Sequence, residues 1–356
     1  MGLHVDYGMS APGIRSGFEM TIKRVHGGAD ANGHIRWDFS TCANAAGPNP
    51  QVMKALRAVD PTRYPDFAST QVRHALASLH GVAAWRILPA ASASEFIQRV
   101  TAVTARLLPG SVSVPLHAYG DYAAAACAWN RPLCPREAET SATLRWYAEP
   151  SSPLGRADAP PARPGSAPTV LDAVYEPLRL ESTSSWARQE RDAVFVLQSP
   201  NKALGLTGVR GAYAIAPAQA DFDVRAFCQA LEMAAPSWPL SAYAEAMLIE
   251  WATPAVQEWV SQSRQILASW KLEMQRQLES RGFDLYSSTT PFFVVRLPVT
   301  HDAAALRQLL KSRDIGIRDA SSFGLPGCWR VCAQPPVAQY ALMNALDAGL
   351  CRGTSL

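Results

Sequence analysis

Short apolar runs alternate with longer stretches of helical spacing between about residue 50 and residue 250. The apolar runs that predict buried strands lie at residues 111–116, 144–148, 169–175, 193–199 and 211–216. Ala-rich stretches with helical spacing separate several of them, as at residues 122–130. Strands that alternate with helices are typical of a mainly parallel sheet covered on both faces. The pattern therefore predicts an α/β fold.

The C-terminal third of the chain has a different pattern. Apolar residues at helical spacing predict one long helix over residues 254–282. Strands follow at residues 292–298 and 328–334, and helices near residues 302–312 and 336–350. This part is therefore predicted to be a compact α+β unit. Residues 150–168 are so rich in Pro, Gly and Ser that we predict a loop there.

Composition and charge narrow the function classes. The chain has 356 residues, of which 48% are hydrophobic, which is enough for a large core. The net charge is only +3 and the basic residues are scattered, which argues against a nucleic-acid or membrane-surface protein. No apolar stretch approaches the roughly 20 residues of a membrane helix, and no signal peptide is evident. We therefore expect a cytoplasmic protein.

The seven cysteines show no metal-binding pattern. None forms a C-x-x-C pair, and Cys328 and Cys332 have no nearby His. Buried thiols in a reducing compartment are the better interpretation, and no metal site is predicted.

The densest cluster of candidate chemistry spans residues 198–217. Ser199 ends a predicted strand, Lys202 follows three residues later, and Arg210 comes next. A Ser-x-x-Lys spacing alone is weak, because a Lys after a strand is usually a solvated loop residue. Ser and Arg, however, are residue types that hold a phosphate dianion. Gly205, Gly208 and Gly211 would let the backbone approach such a group closely.

Two further positions suit a ring-shaped cofactor. Asp172 ends an apolar strand, where a buried carboxylate needs a cationic partner such as a protonated pyridine nitrogen. Tyr119 follows another strand, where its ring can stack on a cofactor, although core packing is the better explanation of this position taken alone.

Several motifs in a fixed order resemble one family. The segments are VHGGAD (25–30), WDFSTCANAAGPNP (37–50), RYPDFASTQVRHALASLHGV (63–82), ILPAASASEFI (87–97) and IGIRDASSFGLPGCWRVCAQ (315–334), together with the Asp172 and Lys202 segments. They resemble the class I/II aminotransferases of pyridoxal-phosphate fold type I. Within that family they are most similar to threonine-phosphate decarboxylase of cobalamin synthesis and to histidinol-phosphate aminotransferase. The likeness covers roughly residues 24 to 350.

The resemblance implies an architecture. It implies a large domain with a mainly parallel sheet of seven strands and a smaller α+β domain built from both chain ends. We accordingly predict an N-terminal arm and part of the small domain at residues 1–50, the large cofactor-binding domain at 51–250, and the rest of the small domain at 251–356. The family also implies a homodimer with shared active sites, in which Tyr64 reaches the cofactor phosphate of the partner subunit.

The resemblance also implies residue roles for pyridoxal 5'-phosphate. Lys202 would carry the cofactor as a Schiff base, and Asp172 would keep its ring nitrogen protonated. Tyr119 would stack on the ring, while Tyr175 and Ser152 would face the ring hydroxyl. The remaining roles are phosphate binding by Ser199, Arg210 and the backbone amides of Ala93 and Ser94, and substrate binding by Arg330. His26 and Arg318 are further candidates for substrate binding, with a solvated surface position as the alternative for each.

Two departures from the family pattern leave the activity open. Ser152 stands where the family has an Asn, and Ala90-Ala91-Ser92 replaces a Gly-x-Gly turn. The preferred function is decarboxylation of L-threonine O-3-phosphate. The alternatives are an aminotransferase, for instance on histidinol phosphate, and a non-catalytic homologue that keeps the cofactor.

Overall fold

The computed structural model describes residues 27–28, 35–298 and 302–350. In chain order the strands are β1 (Trp37–Asp38), β2 (Ile87–Ala90), β3 (Val112–Ser113), β4 (Leu133–Cys134), β5 (Leu144–Ala148), β6 (Thr169–Asp172), β7 (Phe195–Gln198), β8 (Ala212–Ile215), β9 (Asp284–Leu285), β10 (Phe292–Arg296), β11 (Ile315–Gly316), β12 (Arg318–Asp319) and β13 (Cys328–Cys332). The α-helices are α1 (Pro50–Arg57), α2 (Thr70–His80), α3 (Ala93–Leu107), α4 (Gly120–Ala128), α5 (Arg188–Arg191), α6 (Val224–Met233), α7 (Ala242–Trp251), α8 (Pro254–Glu279), α9 (Ala303–Lys311) and α10 (Pro336–Leu350).

A seven-stranded sheet forms the centre of the larger unit. Its strand order is β2-β8-β7-β6-β5-β3-β4. The pairs from β7 to β4 are parallel, and β8 runs antiparallel to both of its neighbours. All five apolar runs of the sequence lie in this sheet, which confirms the predicted mainly parallel α/β fold. The edge strands β2 and β4 were not predicted.

Helices cover both faces of this sheet. Helices α1, α2, α7 and the first half of α8 pack on one face, with Val52, Leu76 and Met247 in the shared core. Helices α3, α4 and α6 cover the other face, where Phe96 and Phe227 are buried. The inner strands are buried on both sides, which explains why they appear in the sequence as continuous apolar runs.

A smaller antiparallel sheet, of order β12-β13-β10-β9, packs with α9, α10 and the end of α8. The N-terminal segment joins this unit, because β1 pairs in parallel with β11 and Phe39 lies in the same core. Helix α8 has Leu267 in the core of the large sheet and Met274 in the core of the small one. The exact domain boundaries stay a prediction of the sequence.

Residues 150–168 contain no helix or strand, in agreement with the predicted loop. Gly155 has a φ of +64° and accepts hydrogen bonds at its carbonyl from Thr289 N, at 2.8 Å, and Thr289 Oγ1, at 3.0 Å. A side chain at Gly155 would collide with Ser288 and Thr290. The loop therefore has to be glycine at this point to pack against the small unit.

No helix in the described ranges combines the length and the apolar character that crossing a membrane requires.

Candidate active site

The carboxyl ends of the parallel strands β5, β6 and β7 form one edge of the large sheet, which is where ligands bind in open α/β folds. Asp172 ends β6, paired with Ala148 of β5 and Leu197 of β7. Lys202 lies in the turn that follows β7. The structure thus brings together the two residues on which the sequence argument depended.

Lys202 is half-buried and its Nζ lies 5.4 Å from the centroid of the Tyr175 ring. Burial lowers the pKa of the Lys202 amine, and Asp172 opposes this shift. The charges of Arg210 and Arg330 lower the pKa further, so the net shift is downward. A lysine in these surroundings is neutral more often than one in water and can accept a proton.

Asp172 is held by two hydrogen bonds. Its Oδ2 accepts from the hydroxyl of Tyr122 at 2.6 Å, and its Oδ1 accepts from Val174 N at 3.1 Å. Burial raises the pKa of the Asp172 carboxyl, while these two bonds and the charge of Lys202 oppose the shift without cancelling it. A nearby cation would therefore stabilise the ionised carboxylate.

Sequence reasoning missed Tyr122. Its ring is fully buried and stacks on Trp146, with centroids 4.4 Å apart and planes 9° from parallel. The only available signal was its position on α4, three residues after Tyr119 and one turn along the same helix.

Tyr119 and the start of α3 lie side by side. The hydroxyl of Tyr119 is 3.3 Å from Ser94 Oγ, in the first turn of that helix. The first amides of a helix have no carbonyl within the helix to bond, so they form a ready anion site. The predicted phosphate residues Ala93 and Ser94 are therefore next to the predicted ring-stacking residue.

The turn before α3 does not need the glycines that the family has there. Ser92 caps the helix, its Oγ accepting from Glu95 N at 3.1 Å, and its backbone is extended, with φ −168°. Residues 90–92 are all described, and none of them has a positive φ. The replacement of Gly-x-Gly by Ala90-Ala91-Ser92 therefore causes no backbone strain.

Ser199 and Arg210 occupy different environments. Ser199 is buried and donates to Asn201 Oδ1 at 3.0 Å and to the carbonyl of Gly211 at 3.3 Å. Arg210 is exposed, and among the described residues no carboxylate lies within ion-pairing distance of it. Its charge nevertheless reaches Lys202, as the lowered pKa of that amine indicates.

Gly205 lets the N-terminal segment approach the turn that carries Lys202, whereas the sequence suggested the approach of a phosphate group. Its φ is +69°, and a Cβ on it would lie 3.0 Å from the carbonyl oxygen of Asn44. The backbone amide of Asn44 donates to the carbonyl of Lys202 at 2.8 Å. The N-terminal segment therefore packs directly on the turn that carries the lysine.

Arg330 and Arg318 are buried neighbours, paired in register on β13 and β12. Arg330 donates from Nη1 to Ser152 Oγ at 3.1 Å and from Nη2 to the carbonyl of Ser40 at 2.9 Å. Its Nε is buried, with no hydrogen-bond partner among the described residues. Arg318 donates to Ser322 Oγ at 2.7 Å, and the Phe323 ring lies 4.9 Å from its guanidinium carbon.

The segment that carries Ser40 is fixed by Asp38. Oδ1 of Asp38 accepts from Ser40 N at 2.8 Å, Ser40 Oγ at 2.6 Å and Thr41 N at 3.1 Å. Gly28 N donates to Ser40 Oγ at 2.7 Å, so the two glycines of the His-Gly-Gly motif lie beside this segment. His26 itself lies outside the described residues.

Tyr64, the residue predicted to reach the partner subunit, is on the surface. It is 80% exposed and stacks on Trp238 with ring centroids 4.4 Å apart.

Comparison with known proteins identifies the family. The sequence model described as Aminotransferase class I and II matches residues 164–348, just over half of the chain. The chain belongs to this family. It is therefore an enzyme of the pyridoxal-phosphate-dependent class I/II aminotransferase family, as the sequence motifs indicated.

Individual relatives within the family share about a quarter of their residues with this chain. The chain is 27% identical to a histidinol-phosphate aminotransferase of Rhodospirillum centenum, over 85% of this chain and 88% of that protein. It is 26% identical to the enzyme of the same name from Paramagnetospirillum magneticum, over 91% of this chain and 94% of the relative. These relatives support the aminotransferase alternative better than the decarboxylase that the sequence motifs favoured.

Solved structures of the family share the fold. A histidinol-phosphate aminotransferase of Sinorhizobium meliloti, crystallised with pyridoxal-5'-phosphate, superposes with a TM-score of 0.73 at 21% identity, over 88% of this chain and 90% of that one. The L-threonine-O-3-phosphate decarboxylase of Porphyromonas gingivalis gives a TM-score of 0.73 at 19% identity, over 87% and 98% of the two chains. Both likenesses establish the architecture of a class I/II enzyme.

Proposed function

We propose that this enzyme is an aminotransferase whose amino substrate carries a phosphate group, of the histidinol-phosphate type. The observation that carries the proposal is the pair of buried, neighbouring arginines Arg318 and Arg330, of which Arg330 has a charge that acts on Lys202. Burial and the charge of Arg330 lower the pKa of Arg318, so an anionic ligand beside the two guanidinium groups would stabilise both positive charges. Two guanidinium groups also match the geometry and charge of a phosphate dianion.

The residues present fit pyridoxal phosphate. Asp172 is a buried carboxyl in need of a cation, which a protonated ring nitrogen supplies. The first amides of α3, at Ala93 and Ser94, together with Ser199 and Arg210, suit the cofactor phosphate. Lys202 is the amine that would bond the cofactor and Tyr119 the ring that would stack on it. Tyr175, whose ring centroid lies 5.4 Å from Lys202 Nζ, would face the ring hydroxyl.

The bound cofactor would supply an electron sink for the electron pair left at Cα of the substrate. The residues of this chain would control the positions of the protons. Asp172 holds a proton on the ring nitrogen through its charge. Lys202 would move a proton to and from Cα, because its lowered pKa makes the neutral form of the amine easier to reach.

Arg330 orients the substrate. Its bonds to Ser152 and to Ser40 use Nη1 and Nη2 and fix the plane of the guanidinium. A fixed cation of this kind holds an anionic substrate in one orientation and so selects the bond at Cα that reacts. In this proposal Ser152, at the position where the family has an Asn, accepts the hydrogen bond of Arg330 and so helps to orient its guanidinium group.

A second candidate is decarboxylation of L-threonine O-3-phosphate. It is favoured by the segment Asp38-Phe39-Ser40, which resembles the decarboxylase group and contacts Arg330 through the Ser40 carbonyl. The two candidates need the same cofactor residues and differ in which substituent of Cα is lost.

We predict that the purified holoenzyme transfers the amino group of histidinol phosphate to a 2-oxo acid. A coupled assay of the amino-acid product, run beside a carbon dioxide assay with threonine phosphate, separates the two candidates. Release of carbon dioxide without amino transfer would establish the decarboxylase instead. Turnover of neither substrate by a protein that retains its cofactor would contradict both and support a non-catalytic homologue.

Tyr122 is predicted to strengthen cofactor binding through Asp172. Tyr122→Phe removes the donor to Asp172 Oδ2, so the carboxyl holds its proton more tightly and attracts the ring nitrogen less. A hydrogen bond to a charged group contributes about 1.5 kcal/mol or more, so the dissociation constant of pyridoxal phosphate should rise about tenfold. Titration of the apoenzyme, followed by the visible absorbance, measures it.

The matched control is Tyr147→Phe. Tyr147 is also buried and donates to a carboxylate, Glu139, at 2.6 Å, but lies away from Lys202 in β5. Equal weakening in the two variants would mean that Tyr122 acts only through stability.

We also propose a homodimer. Tyr64, Phe67, Met233 and Trp238 leave large apolar side chains exposed on one surface, with Tyr64 and Phe67 both packed on Trp238. Exposed apolar clusters are typical of protein interfaces. A second copy covering this surface would bring Tyr64 towards the cofactor phosphate of its partner, as the family resemblance implies.

A further inference from the structure

Two cysteines lie against each other beside the substrate-binding arginine. Cys42 follows β1, and Cys332 is the last residue of β13. Both are buried, packed with Phe292 and Tyr175, and the Cys332 thiol donates to the carbonyl of Ala43, the residue after Cys42, at 3.7 Å. The backbone holds them in place, because Cys332 N donates to the carbonyl of Phe39 at 2.9 Å.

The two thiols differ in acidity. Burial raises the pKa of the Cys42 thiol, but the neighbouring Cys332 thiol and the charges of Arg330 and Lys202 outweigh burial, so the net shift is downward. The pKa of Cys332 is raised well above its usual value by the neighbouring Cys42 thiol and by burial. Cys42 is therefore the better nucleophile of the pair, and Cys332 keeps its proton.

Cys228 gives the contrast within the same chain. It is as buried as Cys42 but lies on α6, and burial raises the pKa of its thiol to about 12. A thiol that is only packed in a core behaves like Cys228. The surroundings of Cys42 are those of a reactive cysteine.

We propose that Cys42 and Cys332 are an oxidation site at which a hydroperoxide converts the two thiols into a disulfide. The Cys42 thiolate attacks one oxygen of the peroxide, the O–O bond breaks, and the sulfur becomes a sulfenic acid while an alcohol or water leaves after taking up a proton. The sulfur of Cys332 then attacks the Cys42 sulfur, the S–O bond breaks, and hydroxide leaves as water with the proton of Cys332. Two electrons pass from the two sulfurs to the peroxide.

The disulfide would disturb the catalytic residues. Its sulfurs lie about 2 Å apart, much closer than two thiols in van der Waals contact, so residues 40–44 have to shift towards β13. That segment bonds Arg330 through the Ser40 carbonyl, at 2.9 Å, and bonds the Lys202 carbonyl through Asn44 N, at 2.8 Å. Oxidation is therefore expected to displace both residues and to inactivate the enzyme reversibly. This consequence rests on the proposed function, whereas the disulfide itself does not.

Treatment of the holoenzyme with hydrogen peroxide, followed by peptide mass spectrometry, tests the site. We expect a peptide pair joined through Cys42 and Cys332, a mass loss of two hydrogen atoms, and recovery of both thiols with dithiothreitol. Cys42→Ser should abolish the reaction, and Cys332→Ser should leave a sulfenic acid at Cys42 that dimedone traps. Cys228→Ser should change neither result.

Activity is measured in parallel and is expected to fall at least tenfold on oxidation and to return on reduction. Oxidation of other cysteines while the Cys42–Cys332 pair stays reduced would overturn the proposal, as would equal alkylation rates for Cys42 and Cys228. A disulfide that forms in a protein without amino-transfer activity would leave the oxidation site established and contradict only the proposed function.

Discussion

Lys202→Ala is expected to abolish the visible absorbance of the bound cofactor and to reduce kcat by about 1,000-fold or more, the range of a positioned acid–base group. The loss follows from two roles of one amine. Lys202 is the half-buried amine with a lowered pKa beside Asp172. Absorbance of the purified variant with added pyridoxal phosphate, and steady-state kinetics, measure the two effects.

The matched control is a second lysine in similar physical surroundings. Lys271 is buried in α8, where it donates to the Ser288 carbonyl, and burial lowers the pKa of its amine as well. Lys271→Met should keep the visible band. Borohydride, which reduces imines, should attach the cofactor to the peptide of Lys202 and not to that of Lys271. A persistent band in Lys202→Ala would refute the assignment.

Arg330→Gln is expected to raise KM for the phosphate-bearing substrate by about 100-fold, within the cost of removing one partner of a buried charge pair. Cofactor affinity should change little, because Arg330 bonds Ser152 and Ser40 and no residue assigned to the cofactor phosphate. Steady-state kinetics and a cofactor titration on the same preparation separate the two effects. Arg330→Lys keeps the charge and should recover part of the loss, but a lysine lacks the planar fork.

Arg145→Gln is the control variant. It tests whether the loss of any buried arginine that bonds neutral oxygens raises KM. Arg145 is as buried as Arg330 and donates to the Glu139 carbonyl at 2.8 Å and to Ser166 Oγ at 2.8 Å, in β5. If it raised KM as much as Arg330→Gln does, the effect would come from general destabilisation. The same would follow if Arg330→Gln lowered kcat with KM unchanged.

The sheet could be predicted because its strands are buried on both faces. Such strands have to be apolar along their whole length, so β5 and β7 are visible in the sequence without any knowledge of their neighbours. The strand β4 has only two residues, Leu133 and Cys134, which is too short for any pattern. The strand β2 passes directly into the turn before α3, and the turn motif hid it.

Site residues that follow a recognisable strand or motif could be predicted from the sequence. Contacts between segments that are distant in sequence could not. Lys202 and Asp172 each follow an apolar strand, so their place at the sheet edge follows from the strand pattern. The bond from Arg330 to Ser40 joins residues 290 positions apart, and only the pairing of β1 with β11 brings them together. The contact of Tyr122 with Asp172 likewise depends on how α4 packs against β6.

One departure from the family pattern lost its importance once the backbone was known. The sequence suggested that Ala90-Ala91-Ser92 restricts the turn before α3, because glycine can adopt conformations that alanine and serine avoid. Those conformations are not used here, since Ser92 is extended. Which residues a turn tolerates depends on its dihedral angles, which a motif alone does not give.

The pairing of β1 with β11, and of Ser40 with Arg330, has a consequence for how the protein is made. Ribosomes release the chain from the N-terminus, so Asp172 and Lys202 can meet while residues 315–332 are still unsynthesised. During that interval β1 has no partner strand and Arg330 does not yet exist. The half of the pocket that suits the cofactor can therefore form first, and the half that suits the substrate is completed only as synthesis ends.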